Sequence, residues 1–177
     1  MNRKIILHIL TVVLLSLSSA AQTKVTFPTS FIGNWKGNLE WMVAGKPTQT
    51  FAMQLQVSAS DTSNHYNWKI VYGDKQNDVR PYTLKPVDTA KGHWIIDEHN
   101  GIQLDGYVHG NSFHGAFTVQ GSTIVDNYSL ENGRIKVEFY NIKLGDKKQS
   151  GAGTEDSPFV DSYKISSYQV GFLERSN

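Results

Sequence analysis

The chain has 177 residues, with 17 basic and 16 acidic side chains and a formal net charge of +1, a length that suits a single domain. Because the charges are balanced and no basic stripe runs along the sequence, nucleic acid is not predicted as a partner. The absence of cysteine excludes a disulfide framework and a cysteine nucleophile.

The N-terminus has the order of parts of a secretory signal peptide. A positively charged start at Arg3 and Lys4 precedes an apolar run and then a group of small residues. This pattern predicts cleavage after Ala21, so that 1–21 is removed and 22–177 forms one domain. Export without disulfides is typical of a bacterial envelope, so we expect a periplasmic or secreted protein. No later apolar run approaches the roughly 18 residues of a membrane-spanning helix, so the mature chain is expected to lack one.

Alternation of apolar and polar side chains with a period of two dominates the rest of the chain. It predicts about ten β-strands, separated by turn signals such as Asn100-Gly101 and Asn132-Gly133. A short 3₁₀ turn is expected within 25–32, and 143–158 is expected to be a long irregular loop. The predicted strands are 32–42, 48–58, 65–72, 80–87, 92–98, 102–109, 112–120, 123–130, 134–142 and 160–174.

Ten consecutive antiparallel strands with short turns form a meander, which can fold as a sandwich or close into a barrel. Glycines inside the predicted strands, at Gly37, Gly106 and Gly115, favour the barrel, because a strongly bent strand needs residues without a Cβ atom. The expected fold is therefore all-β, a single up-and-down antiparallel β-barrel.

The first and last predicted strands carry a family resemblance. The Gly33-Asn34-Trp35 opening resembles the Gly-x-Trp opening of the lipocalin-like superfamily, often called calycins, and Arg175 lies in the last predicted strand. In that superfamily the Trp closes the barrel floor, and an Arg of the last strand packs across its ring. The resemblance implies a structural role at the barrel floor for Trp35 and Arg175, through a cation–π contact.

A barrel of more than about eight strands has room for a small molecule. If the faces that carry Phe51, Tyr66 and Phe113 point inward, the interior is rich in aromatic rings and tyrosine hydroxyls. This favours a small hydrophobic or aromatic ligand, although a smaller barrel would pack the same rings solid and bind nothing. We also expect an arginine at the barrel mouth to be able to meet a ligand carboxylate. The predicted ligand-contacting residues are Trp41, Met53, Trp68, Tyr72, Arg80, Tyr82, Phe117 and Tyr128.

The histidines are the candidate metal ligands. His109 and His114 flank a predicted hairpin turn and are expected to approach each other, with His99 as a third candidate. Solvated histidines at turns are the favoured interpretation, so no metal and no cofactor are predicted. The sequence has no nucleophile elbow and no glycine-rich phosphate loop, so it does not indicate an enzyme.

The sequence thus predicts an exported lipocalin-like protein that carries or sequesters a small hydrophobic ligand inside a β-barrel. Two alternatives stay open. One is a ligand-free structural or interaction domain of the bacterial envelope. The other is a haem- or metal-dependent protein that uses the histidines of 93–114. Neither the oligomeric state nor the identity of the ligand follows from the sequence.

Overall fold

The computed structural model describes residues 26–75 and 78–176. The predicted signal peptide therefore lies outside the described residues. Ten strands are present, joined in chain order and interrupted by the short 3₁₀ turns Thr29–Phe31 and Thr89–Lys91. The strands are β1 Gly33–Met42, β2 Gln49–Ala59, β3 Tyr66–Tyr72, β4 Asp78–Asp88, β5 His93–Asp97, β6 Gln103–His109, β7 Ser112–Val119, β8 Ser122–Glu131, β9 Arg134–Ser150 and β10 Val160–Ser176.

The strands form one closed barrel. Each strand is antiparallel to its sequence neighbours, and β1 pairs with β10 over Asn34–Ser176 to Met42–Tyr168 to complete the ring. This confirms the prediction of a single all-β, up-and-down barrel and of the 3₁₀ turn before the first strand. None of the described helical segments has the length and apolar character needed to cross a membrane.

The cross-strand register determines which side chains face the interior. Trp35 lies opposite Arg175 on one side and Leu55 on the other, and Leu55 in turn lies opposite Ile70. Opposed residues share a face of the sheet, so the apolar members of each alternating pattern all point inward. The period of two in the sequence is thus the period of the barrel wall.

The end of the barrel at which β1 begins is packed solid. Phe31, from the first 3₁₀ turn, is fully buried there. The Phe27 ring stacks on Phe113 with centroids 4.7 Å apart, and Trp68 meets Phe113 edge to face at 5.7 Å. Aromatic rings bury large apolar areas, so this closed end supplies much of the stabilising core.

Glycines serve close approach in this barrel rather than general bending of its strands. A Cβ atom on Gly37 would lie 2.1 Å from the carbonyl oxygen of Phe172, and one on Gly171 would lie 2.1 Å from that of Asn38. Both contacts cross the seam between β1 and β10. The two glycines therefore let the closing strands approach more closely than any side chain would allow.

The last two strands extend beyond the barrel as a two-stranded arm. The prediction of an irregular loop over 143–158 was wrong for 143–150, because β9 continues to Ser150; the chain is irregular only over 151–159, before β10 begins at Val160. The pairing of β10 with β1 extends only as far as Tyr168, and register shifts between Ser162 and Lys164 and between Ile165 and Ser167 interrupt its pairing with β9 where the arm departs from the barrel. The arm carries exposed apolar side chains, namely Leu144, Phe159, Val160, Tyr163 and Ile165.

Candidate functional site

The barrel floor is formed by Trp35 and its neighbours. The Trp35 side chain is almost completely buried, and its Nε1 donates a hydrogen bond of 2.8 Å to the Phe31 carbonyl. The guanidinium of Arg175 lies over the indole ring, 4.5 Å from its centroid. These contacts tie the first strand, the last strand and the entering chain together, which is a structural role.

A cavity of about 680 Å³ occupies the other half of the barrel. Its mouth includes Val79, Ile102 and Val119, each with 45% of its surface exposed. These residues lie near the start of β4, before β6 and at the end of β7, so the cavity opens at the end opposite the aromatic floor. Its volume falls within the range of about 300–1,000 Å³ found for small-molecule sites.

The cavity wall is predominantly apolar, and a few polar groups project from it. The apolar lining combines rings from the closed-end core with aliphatic side chains of the middle strands. It includes Trp68, Ile70, Ile96, Leu104, Phe113, Phe117, Ile124 and Phe139. A smaller cavity of about 360 Å³ adjoins the first and shares five of its lining residues with it, Tyr72, Arg80, Phe117, Ile124 and Phe139.

Arg80 lies on the cavity wall, where its charge is already paired. Its Nε and Nη2 donate hydrogen bonds of 3.0 and 2.9 Å to the two carboxylate oxygens of Asp78. The guanidinium also lies 4.9 Å from the centroid of the Tyr72 ring. The hydrogen bonds from Arg80 hold the pKa of Asp78 below its ordinary value, so both partners are charged at neutral pH.

Three tyrosines supply neutral polar groups to the wall. Burial raises the pKa of the Tyr72 and Tyr128 hydroxyls well above the ordinary value for tyrosine. Burial also raises the pKa of Tyr82. All three hydroxyls therefore stay protonated across physiological pH, and each can donate one hydrogen bond and accept others.

Asp126 is the unusual group of the cavity. It lies on the inward face of β8, directly opposite Gly115 on β7 and Phe139 on β9. The backbone N–H groups of Gly115 and of Asp126 itself favour the charged form of this carboxyl, but burial has the larger effect. A Cβ atom on Gly115 would lie 2.3 Å from Asp126 Oδ1, so the glycine makes the space that the carboxylate occupies.

The surroundings of Asp126 raise the free energy of its charged form. Burial raises the pKa of its carboxyl from the ordinary 3.8 to about 6. Within 26–75 and 78–176, no side chain forms an ion pair or a hydrogen bond with it. At neutral pH the cavity therefore holds a carboxylate that has no charged partner among the described residues.

Most of the predicted ligand-contacting residues line the cavity. Trp68, Tyr72, Arg80, Tyr82, Phe117 and Tyr128 all do so. Two others face inward without lining it. Met53 is fully buried in the core, and Trp41 lies near the end of β1 with an indole N–H that has no hydrogen-bond partner among the described residues.

Sequence reasoning missed Asp126. Ile124, Asp126 and Tyr128 share one face of β8, and Ile124 and Tyr128 also line the cavity. An acidic residue in phase with an apolar face is therefore the signal that could have identified it. Sequence reasoning also did not identify Glu98, which lies just after β5 and lines the cavity at its mouth.

The candidate metal ligands are divided between the two ends of the barrel. The His109 and His114 rings lie 5.6 Å apart across the β6–β7 turn. His99 follows β5 at the opposite end, where its Nε2 is 2.8 Å from the Thr83 hydroxyl. Across the described part of the chain, no group of three or more His, Cys, Asp or Glu residues is placed to hold a metal ion.

The fold and the cavity together define a closed ten-stranded antiparallel barrel with an internal pocket, which is consistent with the lipocalin-like resemblance. No protein-family model and no curated protein matches the chain. A solved structure from Nostoc punctiforme, a protein of unknown function of the DUF3598 family, is similar with a TM-score of 0.61 and 9% sequence identity. The match covers 86% of this chain and 50% of that one, so the chain spans half the length of that protein. At this identity the likeness concerns the fold alone.

Proposed function

We propose that the chain is an exported, lipocalin-like binding protein that carries or sequesters a small hydrophobic ligand inside its barrel. The observation that carries the proposal is the cavity of about 680 Å³, which is lined by aromatic and aliphatic side chains with a few polar groups. This combination is typical of small-molecule sites, where the apolar wall supplies affinity and the polar groups fix orientation. Export follows from the signal-peptide pattern of 1–21 and belongs to the same proposal.

Native mass spectrometry of the protein purified gently from its own envelope fraction tests the binding. We expect a mass excess that disappears on denaturation and that identifies a non-covalent ligand by its mass. Ile124 faces inward and lines both cavities, whereas its neighbour Val125 lies on the outer face of β8. I124W is therefore expected to abolish the mass excess and V125W to retain it. A wild-type protein that carries no ligand and binds none of a panel of lipophilic probes would overturn the proposal.

The arm supports a second candidate function, an interaction domain of the bacterial envelope. Phe159 and Ile165 expose 62% and 56% of their surfaces there, which is unusual for large apolar side chains. If the arm is a contact surface, the wild type should self-associate or sediment with an envelope partner, and F159S/I165S should not. A wild type that sediments as a free monomer in envelope extract would count against this candidate.

A further inference from the structure

The charges on the cavity wall do not cancel. Of its four ionisable acidic and basic residues, Arg80 is paired with Asp78, and Asp105 lies 2.6 Å from His93. The other two are the carboxylates of Asp126 and Glu98. Within the described chain neither has a charged partner, and the one hydrogen bond to the Glu98 carboxylate comes from the neutral amide of Asn100 at 3.4 Å. The interior therefore carries surplus negative charge at neutral pH.

Asp126, the deeper of these two carboxylates, is positioned on the cavity wall by its neighbours. Gly115 on β7 leaves room for the Asp126 side chain, and its backbone N–H favours the charged form of the carboxyl. The Arg80 guanidinium is held by both carboxylate oxygens of Asp78, so it does not serve as the counter-ion of Asp126. A partly buried charge without a counter-ion is costly to keep, and a ligand of opposite charge offsets part of that cost.

The environment of Asp126 is also suited to a cation on an apolar body. Phe139 lies directly opposite Asp126 on β9, Tyr128 lies two residues along the same face of β8, and Phe117 lies on the neighbouring strand. All three line the cavity. Aromatic faces attract organic cations and accommodate apolar groups equally well, so the carboxylate and the rings act on the same ligand.

We propose that the ligand of this cavity is a hydrophobic amine, bound in its protonated form with the ammonium group against the Asp126 carboxylate. The inference rests on the proposed binding function and specifies its ligand class. Arg80, which was expected to meet a ligand carboxylate, instead remains paired with Asp78 at the mouth. The amine enters past Glu98, whose charge favours a cation on the same path.

Three probes that share one apolar body test the charge preference. These are 2-(1-naphthyl)ethylamine, 2-(1-naphthyl)ethanol and 1-naphthylacetate, which are cationic, neutral and anionic at pH 7.5. Isothermal titration calorimetry at low salt measures their dissociation constants for the wild type, for D126N and for D61N, a control in an exposed loop. We expect the amine to bind the wild type and D61N about tenfold or more tightly than the alcohol, since charge-assisted hydrogen bonds are stronger than neutral ones. In D126N the preference should disappear.

The other outcomes separate the two proposals. Equal affinities for the three probes, unchanged in D126N, would overturn the amine inference and leave the binding function standing. Preference for the naphthylacetate that is lost in R80M would also overturn the inference, in favour of a carboxylate ligand at Arg80. If none of the three probes binds, the amine inference is overturned, and the binding function is then decided by native mass spectrometry of the purified protein.

Discussion

At the scale of single residues, ionisation of the Asp126 carboxyl lowers the free energy of unfolding by an amount that can be measured. Asp126 has a pKa of about 6 in the folded protein, above the ordinary 3.8. The folded state therefore holds the proton more tightly than the unfolded chain does. The stability that the protonated group contributes is complete below about pH 4 and is lost as the pH rises through 6.

D126N removes this titration and is expected to gain stability relative to the wild type as the pH rises from 4 to 7.5, by on the order of 2 kcal/mol. Chemical unfolding of both proteins at several pH values measures the difference. Tyr72, Tyr82 and Tyr128 face the same cavity, but burial raises their pKa values and keeps them neutral throughout this range. Repeating the series in an E98Q background separates the contribution of the mouth carboxylate. A stability difference independent of pH would contradict the assignment.

Residues also show where sequence reasoning reached its limit. Trp68, Tyr72 and Tyr128 could be placed near the cavity because an aromatic ring in phase with an apolar face is expected to point inward. Asp126 was missed although it is in phase with Ile124 and Tyr128, because an isolated aspartate in a strand is ordinarily on the solvent side. Its inward position depends on Gly115 in the next strand, and this pairing becomes visible only once the register is known.

At the scale of elements, the closure of the barrel depends on a narrow seam between β1 and β10. G171A would place a Cβ atom 2.1 Å from the Asn38 carbonyl oxygen, a backbone atom that can move only if the strands separate. We expect a loss of about 1–3 kcal/mol in the free energy of unfolding, as for other overpacked sites. G145A is the matched control, because a Cβ atom there meets nothing within 4 Å.

Urea unfolding followed by tryptophan fluorescence measures both variants, since Trp35 lies beside the seam. A loss of stability in G171A alone would support the role of Gly171 in the close approach of β1 and β10. Equal stability of G171A and G145A would contradict that role.

Elements were predictable in proportion to how much of each is buried. The barrel strands alternate because one face packs inside, so the sequence predicted their positions to within a few residues. The arm has no such signal. Lys147, Lys148 and Gln149 are all exposed although they lie in β9, and the arm strands are paired through their backbones rather than selected by a core. The sequence of a strand without a buried face lacks this alternation and therefore resembles that of a loop.

At the scale of the whole molecule, the barrel is divided into a packed half and a hollow half. The same paired strands run through both halves, so the halves differ in side-chain packing much more than in backbone hydrogen bonding. On β7, for example, Phe113 belongs to the buried core, whereas Phe117 lines the cavity and Val119 is exposed at its mouth. Regions with fewer buried contacts open more readily, which makes the hollow half the less stable one.

Amide hydrogen exchange resolved by residue is expected to show this division within single strands. Amides of 112–115 should exchange more slowly than those of 116–119 in β7, and amides of 127–131 more slowly than those of 122–126 in β8. Adding the naphthylethylamine probe should slow exchange mainly in 116–119 and 122–126, because a ligand stabilises the conformation that binds it. Uniform protection along both strands would mean that the barrel opens only as a whole and that the hollow half is as rigid as the floor. If the probe slows exchange only in the hollow half, and that half exchanges faster without the probe, then ligand binding and local opening occur in the same part of the barrel.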